Sequence, residues 1–476
     1  MNPPPEMERL ASRRAAHDRG RHRTMMQESR CRSRDAGVAA ACGIAPPRSQ
    51  DPRRRDSEVI TECESQRSDQ RPLWPTLRIR VGHLPRSEKR QNRTNLATSR
   101  NRDSDCSRSI GAYLEWIAKG QKMERSALVA GATGIVGNNL ARHLLERGWS
   151  VYGLARRPGI DIPGMLPITA DLLDPASLGS ALRDLRPTHV FFSSWLRQKT
   201  EAENILVNSA MVRNLLDALS SAGSVRHVAL VTGLKHYLGP FESYGQSSLI
   251  ATPFREDQPR LDIENFYYAQ EDAVFAAAKR DGFSWNIHRP HTIIGYAVGN
   301  AMNMGTTLAA YATICREIGR PFLFPGSATQ WNALTDMTDA RLLARHLEWA
   351  ATTDAARNQA FNVVNGDVFR WKWMWGRLAD WFGLQPAAFP SESCPLERQL
   401  SDARPIWSDI ARKHHLAEPD INRLASAWHT DGDLGRSIEV VTDMSKSRRL
   451  GFLDYQATDE SFFDLFTTLR EKRIIP

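Results

Sequence analysis

The amino-acid sequence predicts an α/β fold with a doubly wound parallel sheet from about Met123 onward, followed by a smaller C-terminal region. Three observations predict it. The apolar run from Ala127 to Ala130 has the length of a buried parallel strand. A glycine-rich turn and a segment with apolar residues at helical spacing follow it directly. Further apolar runs then alternate with helical patterns, which is typical of a parallel sheet with crossover helices.

The later strands are predicted from the same alternation. Short apolar runs near residues 150–154, 166–172, 188–195 and 227–232 have strand length, and a helical pattern over 203–219 separates the last two. In a doubly wound sheet the carboxyl ends of such strands meet at one edge, where ligands bind. We therefore expect the residues that follow each strand to form the site.

Charge is distributed unevenly along the 476 residues, whose net charge is +9. Residues 1–122 contain 26 Lys and Arg against 15 Asp and Glu, whereas the rest contains 37 against 39. All of the basic excess therefore lies in the first quarter of the chain. The remainder gives no electrostatic reason to expect a nucleic-acid partner.

Residues 1–122 differ in composition from the rest, because 23 of their 26 basic residues are Arg and few apolar positions are periodic. Such a segment cannot bury enough apolar surface to fold, so the composition predicts a disordered extension. It is interpreted as a basic arm for nucleic acid or anionic lipid, as a tail without specific function, or as an upstream stretch outside the native protein. We favour the third interpretation because Met123 almost directly precedes the first predicted strand.

The cellular location is predicted from targeting and membrane patterns that the sequence lacks. It has no run of 18 apolar residues and no signal-peptide pattern at its beginning. None of its six cysteines forms a CxxC pair, so neither a metal site nor a redox motif is predicted. We expect a cytoplasmic protein that uses no metal and binds no membrane.

The turn after the first strand predicts a dinucleotide site. Its glycines are Gly131, Gly134 and Gly137, which let the backbone approach a pyrophosphate at the beginning of a helix. After the second strand, where an NAD enzyme has an acid for the ribose, this chain has Arg156 and Arg157. Two guanidinium groups there favour the 2′-phosphate of NADP.

The catalytic motif of an ordinary short-chain dehydrogenase, Tyr-x-x-x-Lys on one helix, is absent. Four residues beyond Tyr267 stands Glu271, and four beyond Tyr268 stands Asp272, so neither tyrosine has a cation one turn away. The nearest candidate cation is Lys235, which follows the fifth predicted strand.

Several ordered motifs carry a resemblance to a known family. They are the glycine turn, Ala155-Arg-Arg157, Gly233-Leu-Lys-His-Tyr-Leu-Gly-Pro240 and Asn265-Phe-Tyr-Tyr-Ala-Gln-Glu-Asp272. Shorter matches include His288-Arg-Pro290 and Phe324-Pro-Gly326. The chain resembles the progesterone 5β-reductase and iridoid synthase (PRISE) family of enone reductases, atypical short-chain dehydrogenases with a Rossmann-type fold. The resemblance is strong over about residues 128–384 and looser beyond.

The resemblance implies specific site residues. Lys235 and Tyr267 match the family's catalytic residues. Besides the turn glycines and Tyr267, the implied cofactor contacts are Thr133, Ile135, Arg156, Arg157, Asp171, Leu172, Ser194, Trp195, Val231, Ile294, Ala301 and Met302. Ser194 replaces the family's usual threonine, and Ala301 stands where a bulkier apolar residue is usual.

The implied reaction is reduction of an activated C=C bond in an enone or enal by NADPH. Hydride adds to the β-carbon, charge develops on the carbonyl oxygen, and a tyrosine hydroxyl stabilises it. Lys235 would strengthen that donor or hold tyrosine and cofactor in place. Neighbouring helical residues point about 100° apart, so only one tyrosine of the pair can face the substrate, and the sequence leaves open which one does.

The resemblance and the composition together predict three segments. These are the extension at 1–122, an NADP-binding Rossmann domain at 123–299, and a mainly helical capping region at 300–476 with some strands returning to the core. The tryptophans at 371, 373, 375 and 381 crowd one predicted helix of this region and are interpreted as core or domain-packing residues. A carbonyl reductase, a sugar epimerase-like enzyme and a non-catalytic NADP sensor remain as alternatives, and homodimerisation stays open.

Overall fold

The computed structural model describes residues 125–157, 162–240, 251–299, 302–390 and 392–476. The predicted extension at 1–122, Met123 and Ala301 lie outside the described residues. Nine strands are assigned among the described residues: β1 Ser126–Ala130, β2 Ser150–Ala155, β3 Leu166–Thr169, β4 His189–Phe192, β5 His227–Val231, β6 Ser284–Pro290, β7 Ile293–Ile294, β8 Thr338–Asp339 and β9 Gln359–Val363. The strand prediction is confirmed to within a few residues at each end.

Helices separate most of these strands. They are α1 Ile135–Glu146, α2 Pro175–Leu182, α3 Glu201–Ser220, α4 Lys235–Leu238, α5 Phe266–Asp281, α6 Met304–Ile318, α7 Ala328–Asn332, α8 Ala340–Thr352, α9 Trp371–Phe382, α10 Leu396–Gln399, α11 Ala403–His414, α12 Ala427–Leu434, α13 Ser445–Arg449 and α14 Thr458–Glu471. Short 3₁₀ turns occur at Asp354–Ala356 and Ile421–Arg423. Within the described part of the chain, no helix is long and apolar enough to cross a membrane.

The main sheet has seven strands in the order β3-β2-β1-β4-β5-β6-β9, and every neighbouring pair is parallel. The predicted doubly wound parallel sheet is therefore confirmed. The chain changes direction across the sheet between β1 and β4, the position at which ligands bind in such sheets. β9 comes from far along the chain and completes the sheet beside β6, while β7 and β8 form a separate parallel pair.

Helices cover both faces of the sheet. Residues of β1 alternate between the faces: Ala127 and Val129 pack with α1 and α8, whereas Leu128 and Ala130 pack with α2, α3 and α5. This alternation follows from the two-residue period of a strand. Because both sides of β1 are buried from Ala127 to Ala130, these four residues are all apolar, as the sequence indicated.

A third core joins the helices after β7. It is built from α6, α9, α11 and α14 around Trp375 and Trp407. The Trp375 ring stacks on Phe322 with 4.1 Å between centroids. Trp371 also lies in this core, but Trp373 is half exposed, because only one face of α9 is covered. The interpretation of Trp373 as a core residue was wrong.

Candidate active site

A cleft of about 930 Å³ runs along the carboxyl ends of β2, β1, β4, β5 and β6. Its wall contains residues from the segment after each of these strands, and on the far side residues from the C-terminal part of the chain. Neighbouring parallel strands lie about 4.8 Å apart. Because five neighbouring strands contribute to it, the cleft extends across roughly 20 Å of sheet edge.

The glycine turn forms the middle of the cleft. Gly131 adopts a φ of +88°, and a Cβ there would lie 2.5 Å from Ser194 Oγ. A Cβ on Gly137 would lie 2.3 Å from the Gly131 carbonyl oxygen, so this glycine lets α1 pack directly under the turn. Gly137 is therefore behind the cleft wall, whereas Thr133, Gly134 and Ile135 are part of it.

The beginning of α1 presents polar backbone groups to the cleft. Its N-cap is Gly134, which provides no side-chain cap. The first N–H groups of an α-helix have no partner within the helix, and together with the helix dipole they attract an anion. The residues present at this turn therefore fit a pyrophosphate.

Several cationic side chains line the cleft. Arg156 and Arg157 follow β2, are exposed and line the cleft together with Asp171 and Leu172 from the segment after β3. Three further cations, Arg142, Arg423 and Lys472, also line it. These three were not predicted from the sequence. Arg142 had a local signal, its position on the helix after the glycine turn, but Arg423 and Lys472 are brought there only by the fold.

The segment after β4 is fixed by one buried amide. Asn208 on α3 accepts from the Leu196 N–H at 2.8 Å and donates to the Leu196 carbonyl at 2.9 Å. This places Ser194 and Trp195 in the cleft wall, and the Trp195 ring stacks against Phe266 with 5.8 Å between centroids. Val231, at the end of β5, lines the same part of the cleft.

Lys235 and Tyr267 meet at the floor of the cleft. Lys235 opens α4 directly after β5, is only 5% exposed, and places its Nζ 4.8 Å from the Phe266 ring centroid. The Tyr267 hydroxyl oxygen lies 3.3 Å from the position that a Cβ on Gly233 would take. Both side chains line the cleft, so the structure brings together two residues that are 32 positions apart.

Asn265 forms hydrogen bonds with the backbone of both residues and so fixes their relative position. Its Nδ2 donates to the Lys235 carbonyl at 2.7 Å, while its Oδ1 accepts from the Tyr267 N–H at 3.0 Å and caps α5. The Glu201 carboxylate accepts from the neighbouring Phe266 N–H at 2.7 Å. The beginnings of α4 and α5 are therefore tied to each other and to α3.

Tyr268 has a different environment. Its hydroxyl donates to the His236 carbonyl at 2.6 Å and accepts from the Leu261 N–H at 3.0 Å. The side chain is buried, and burial raises the pKa of this hydroxyl. Because both hydrogen-bonding functions of the hydroxyl are used by the backbone, the geometry fits a packing role.

Glu271 occupies the position where an ordinary short-chain dehydrogenase has its helix-borne lysine. It is 2% exposed, and its carboxylate contacts Arg260 at 2.8 Å and Arg289 at 3.5 Å. This buried ion cluster holds α5 against β6 below the cleft. The carboxylate cannot replace the ammonium group, so Lys235 is the cation that the described structure places beside Tyr267.

Comparison with known proteins agrees with this geometry. Residues 178–476 match the family described as PRISE-like Rossmann-fold domain. The chain is 38% identical over 364 residues to an (S)-8-oxocitronellyl enol synthase of Camptotheca acuminata. The matched region covers 74% of this chain and 93% of the relative. It is also 38% identical over 371 residues to a 3-oxo-Δ(4,5)-steroid 5-β-reductase of Arabidopsis thaliana, covering 75% and 94%. The chain belongs to the PRISE-like family.

Solved structures agree on the fold of this PRISE-like chain. A putative epimerase of Burkholderia cenocepacia superimposes with a TM-score of 0.52 at 20% identity, covering 74% of this chain and all of that one. The Bordetella bronchiseptica enzyme WbmG, solved with NAD and UDP, superimposes with a TM-score of 0.52 at 16% identity, covering 73% and 96%. At these identities the likeness concerns the fold alone.

The remaining predicted residues lie in different places. Met302 lines the cleft of the PRISE-like chain, but Ile294 is fully buried in the third core and is not part of the wall. Ala301 is outside the described residues. The far wall also contains polar residues that were not predicted from the sequence: His291, Thr292, His429, Asp433 and Arg436. Only His291 had a local signal, since it directly follows the His-Arg-Pro motif.

Proposed function

We propose that this chain is an NADPH-dependent reductase of C=C bonds activated by a neighbouring carbonyl group, as in enones and enals. The observation that carries the proposal is the pairing of Lys235 and Tyr267 at the floor of a cleft that also contains the glycine turn. The names of the curated relatives, an oxocitronellyl enol synthase and a steroid 5-β-reductase, support it.

The cofactor would occupy the part of the cleft from β2 to β5. The turn at Thr133, Gly134 and Ile135 would hold the pyrophosphate, and Asp171 with Leu172 would contact the adenine. Arg156 and Arg157 would bind the 2′-phosphate, which is why we propose NADP rather than NAD. Ser194, Trp195, Val231 and Met302 would contact the nicotinamide half, and Gly131 and Gly137 shape the turn without adding a side chain.

Tyr267 would act on the carbonyl oxygen of the substrate. NADPH, when bound, supplies hydride to the β-carbon. As that bond forms, electrons move through the double bond to the carbonyl oxygen, and the Tyr267 hydroxyl stabilises the developing negative charge by a hydrogen bond. Such a donor acts mainly in the transition state, because the ground-state carbonyl is a weaker acceptor.

Lys235 would assist this donor. Its ammonium group is buried beside the Phe266 ring, close to Tyr267, in a region of low dielectric where its field is strong. Asn265 sets the spacing of the two residues through their backbones. The ammonium group would favour negative charge on the phenol and substrate oxygens and position the cofactor.

Two alternatives are less well supported. A carbonyl reductase or epimerase on this fold would use a lysine four residues after the tyrosine, and Glu271 is buried there in ion pairs. A non-catalytic sensor would have no need for the buried Lys235 next to a cleft-lining tyrosine.

The remaining organisation is proposed on the same basis. Residues 123–299 would form the NADP-binding domain, and residues 300–476 the cap that contributes the far wall of the cleft and returns β9 to the sheet. A cytoplasmic location, homodimerisation and the absence of residues 1–122 from the native protein remain predictions.

The test is the oxidation of NADPH by the purified chain with a panel of cyclic and linear enones, enals and saturated ketones. We expect oxidation with the enones and enals, and product analysis should find the saturated carbonyl compound. Allylic alcohols as products would contradict the proposal, because they come from attack on the carbonyl carbon. Activity confined to the saturated ketones would favour a carbonyl reductase.

A further inference from the structure

The segment 295–299, which follows β7, lies against the beginning of α1. The Tyr296 carbonyl accepts from Asn139 Nδ2 at 3.2 Å, and the same amide nitrogen donates to the Ile135 carbonyl at 2.7 Å. A Cβ on Gly295 would lie 3.3 Å from Ile135 Cγ1. Because Ile135 is the first residue of α1 and part of the cleft wall, the segment borders the place proposed for the pyrophosphate.

Two cations from opposite parts of the chain lie beside Tyr296. Lys472, directly after α14, places its Nζ 5.3 Å from the Tyr296 ring centroid. Burial raises the pKa of the Tyr296 hydroxyl, and the positive charge of Arg142 on α1 acts in the opposite direction. All three side chains line the cleft. Side chains of α1 and of the end of the chain therefore come together at the segment 295–299.

Both cations have hydrogen-bond donors that can bind a ligand. Arg142 uses its Nε to donate to Asn138 Oδ1 at 3.0 Å, one turn earlier on α1. Among the described residues, no hydrogen bond or ion pair engages the Arg142 Nη atoms or the Lys472 ammonium group, which contacts the Tyr296 ring. A guanidinium and an ammonium group can only donate, so their ligand must be an acceptor.

Arg423 approaches the same segment but already has a carboxylate partner. Its Nη2 is 3.4 Å from the position of a Cβ on Gly299, while its Nε pairs with Glu418 at 2.5 Å. The Glu418 charge offsets the attraction that Arg423 could exert on an anion. Arg142 and Lys472 have no such carboxylate within the described part of the chain, so they are the stronger anion ligands.

The phosphate groups of the proposed cofactor divide into two anionic parts, the pyrophosphate and the 2′-phosphate. Arg156 and Arg157 are proposed for the 2′-phosphate. At the beginning of α1 the pyrophosphate would meet backbone N–H groups, which together carry about half a positive charge. Hydrogen bonds from a full cation to phosphate are roughly twice as strong as those between neutral groups. Cations beside this turn would therefore add substantially to its affinity for the pyrophosphate.

We propose that Arg142 and Lys472 bind the pyrophosphate of the nicotinamide dinucleotide, together with the glycine turn. This rests on the proposed function for the placement of the cofactor, and it deepens that function by adding a cation of the C-terminal region to the cofactor site. Every cofactor contact that the family resemblance implies lies at or before Met302. The cofactor thus links α1 to the end of the chain.

The test is calorimetric titration of NADPH and NADH into the wild-type protein, Arg142→Met and Lys472→Met. Because both cofactors contain the same pyrophosphate, each variant should lose affinity for both by the same factor. We expect a loss of about tenfold for the half-buried Arg142, the scale of one hydrogen bond to a charged group. Lys472 is exposed, so its loss should be about threefold. Unchanged affinities in both variants would overturn the proposal.

Adenosine 2′-monophosphate distinguishes the two anionic parts, because it has the 2′-phosphate and lacks the pyrophosphate. Its affinity should be the same in the wild type, Arg142→Met and Lys472→Met, and lower in Arg156→Ala/Arg157→Ala. A loss of this affinity in Arg142→Met or Lys472→Met would overturn the proposal, because these cations would then bind the 2′-phosphate. A change in the ratio of NADPH to NADH affinity in either variant would overturn it for the same reason.

The matched control is Lys413→Met. Lys413 is an exposed lysine of the C-terminal region that pairs with Glu317 at 2.7 Å and is not part of the cleft wall. This variant has the same net charge as Lys472→Met and should bind both cofactors as the wild type does. An equal loss in Lys413→Met would overturn the proposal, since net charge alone would explain it. Thermal unfolding without cofactor shows that each variant is folded.

These measurements separate the proposal from the proposed function, because binding requires no turnover. Weaker binding of both cofactors by Arg142→Met and Lys472→Met would support the pyrophosphate site even if no enone or enal were reduced, which would overturn the proposed reductase instead. A wild-type protein that reduces enones, with variants that bind both cofactors equally well, would overturn the pyrophosphate site alone. A wild-type protein that binds neither cofactor would overturn both.

Discussion

The two ends of the cleft are built differently. The proposed cofactor end consists of the turn after β1 and the residues after β2 and β3, all between Gly131 and Leu172, and its charged groups Arg156 and Arg157 are exposed. The proposed substrate end is assembled from distant segments: His291 contacts Arg436, 145 positions later, and Asp336 accepts from the Thr442 N–H, 106 positions later. One end is a local motif and the other is a product of the tertiary fold, so changes at the two ends should have different consequences.

The largest effect is expected at the boundary between the two ends. Tyr267→Phe should reduce the single-turnover rate of enone reduction by about 10²–10³, the scale for losing one oxyanion donor. Affinity for NADPH should change little, because the hydroxyl acts on the substrate oxygen in the transition state. Rapid-mixing measurements under single-turnover conditions exclude product release.

Tyr268→Phe is the matched control, since it removes the neighbouring hydroxyl, which bonds only to backbone groups. It should lower stability more than rate. If Tyr268→Phe loses activity while Tyr267→Phe retains it, the two roles are exchanged. If both retain it, an oxyanion mechanism on this pair is wrong.

A smaller effect is expected at the exposed cofactor end. Arg156→Ala/Arg157→Ala should weaken NADPH binding by about tenfold to a hundredfold, the scale of one or two hydrogen bonds to a charged group. NADH binding should change little because it lacks the 2′-phosphate. Equilibrium titration of both cofactors measures the ratio. If the wild-type protein does not prefer NADPH over NADH, or if the double variant retains that preference, these arginines do not bind the 2′-phosphate.

Substitutions in the glycine turn should change the stability of the protein. Gly137→Ala places a Cβ against the Gly131 carbonyl oxygen and should lower the free energy of unfolding by about 1–3 kcal/mol, as overpacking does. Gly179→Ala on α2, where a Cβ meets no atom within 4 Å, should instead raise it by about 0.4–1 kcal/mol. Denaturant titration gives both values, and a loss of equal size at both positions would contradict the close approach at Gly137.

The smallest effect is expected outside the cleft. A protein that begins at Met123 should have the same midpoint of thermal unfolding and the same NADPH affinity as the full chain, because residues 1–122 have the composition of a segment without a core. Calorimetric unfolding of both proteins is the comparison. A substantially lower midpoint for the shorter protein would make the extension part of the fold.

The same contrast explains what the sequence could predict. The parallel sheet and the glycine turn were predictable because each is marked by a contiguous pattern. Lys235 and Tyr267 come from two separate motifs, and the structure places both in the cleft wall, while their catalytic role stays a prediction. The sequence did not show which of Tyr267 and Tyr268 faces the substrate. That depends on which of the two hydroxyl groups forms hydrogen bonds with the backbone of another segment. Arg423, Lys472 and the polar residues of the far wall were not predicted, because ordinary surface-type residues come to line a cleft only when distant segments pack together.

The position of β9 has a consequence for how the chain acquires its structure during synthesis. β9 is residues 359–363, yet it forms one edge of the main sheet beside β6, which ends at Pro290. While the ribosome adds the residues between them, β6 is an open edge able to pair with another extended chain. Pairing over such sequence separation is slow, so the nascent chain passes through a period in which its glycine turn is complete but its sheet is not. Occupation of that turn by a dinucleotide during translation would then stabilise the unfinished domain until β9 arrives.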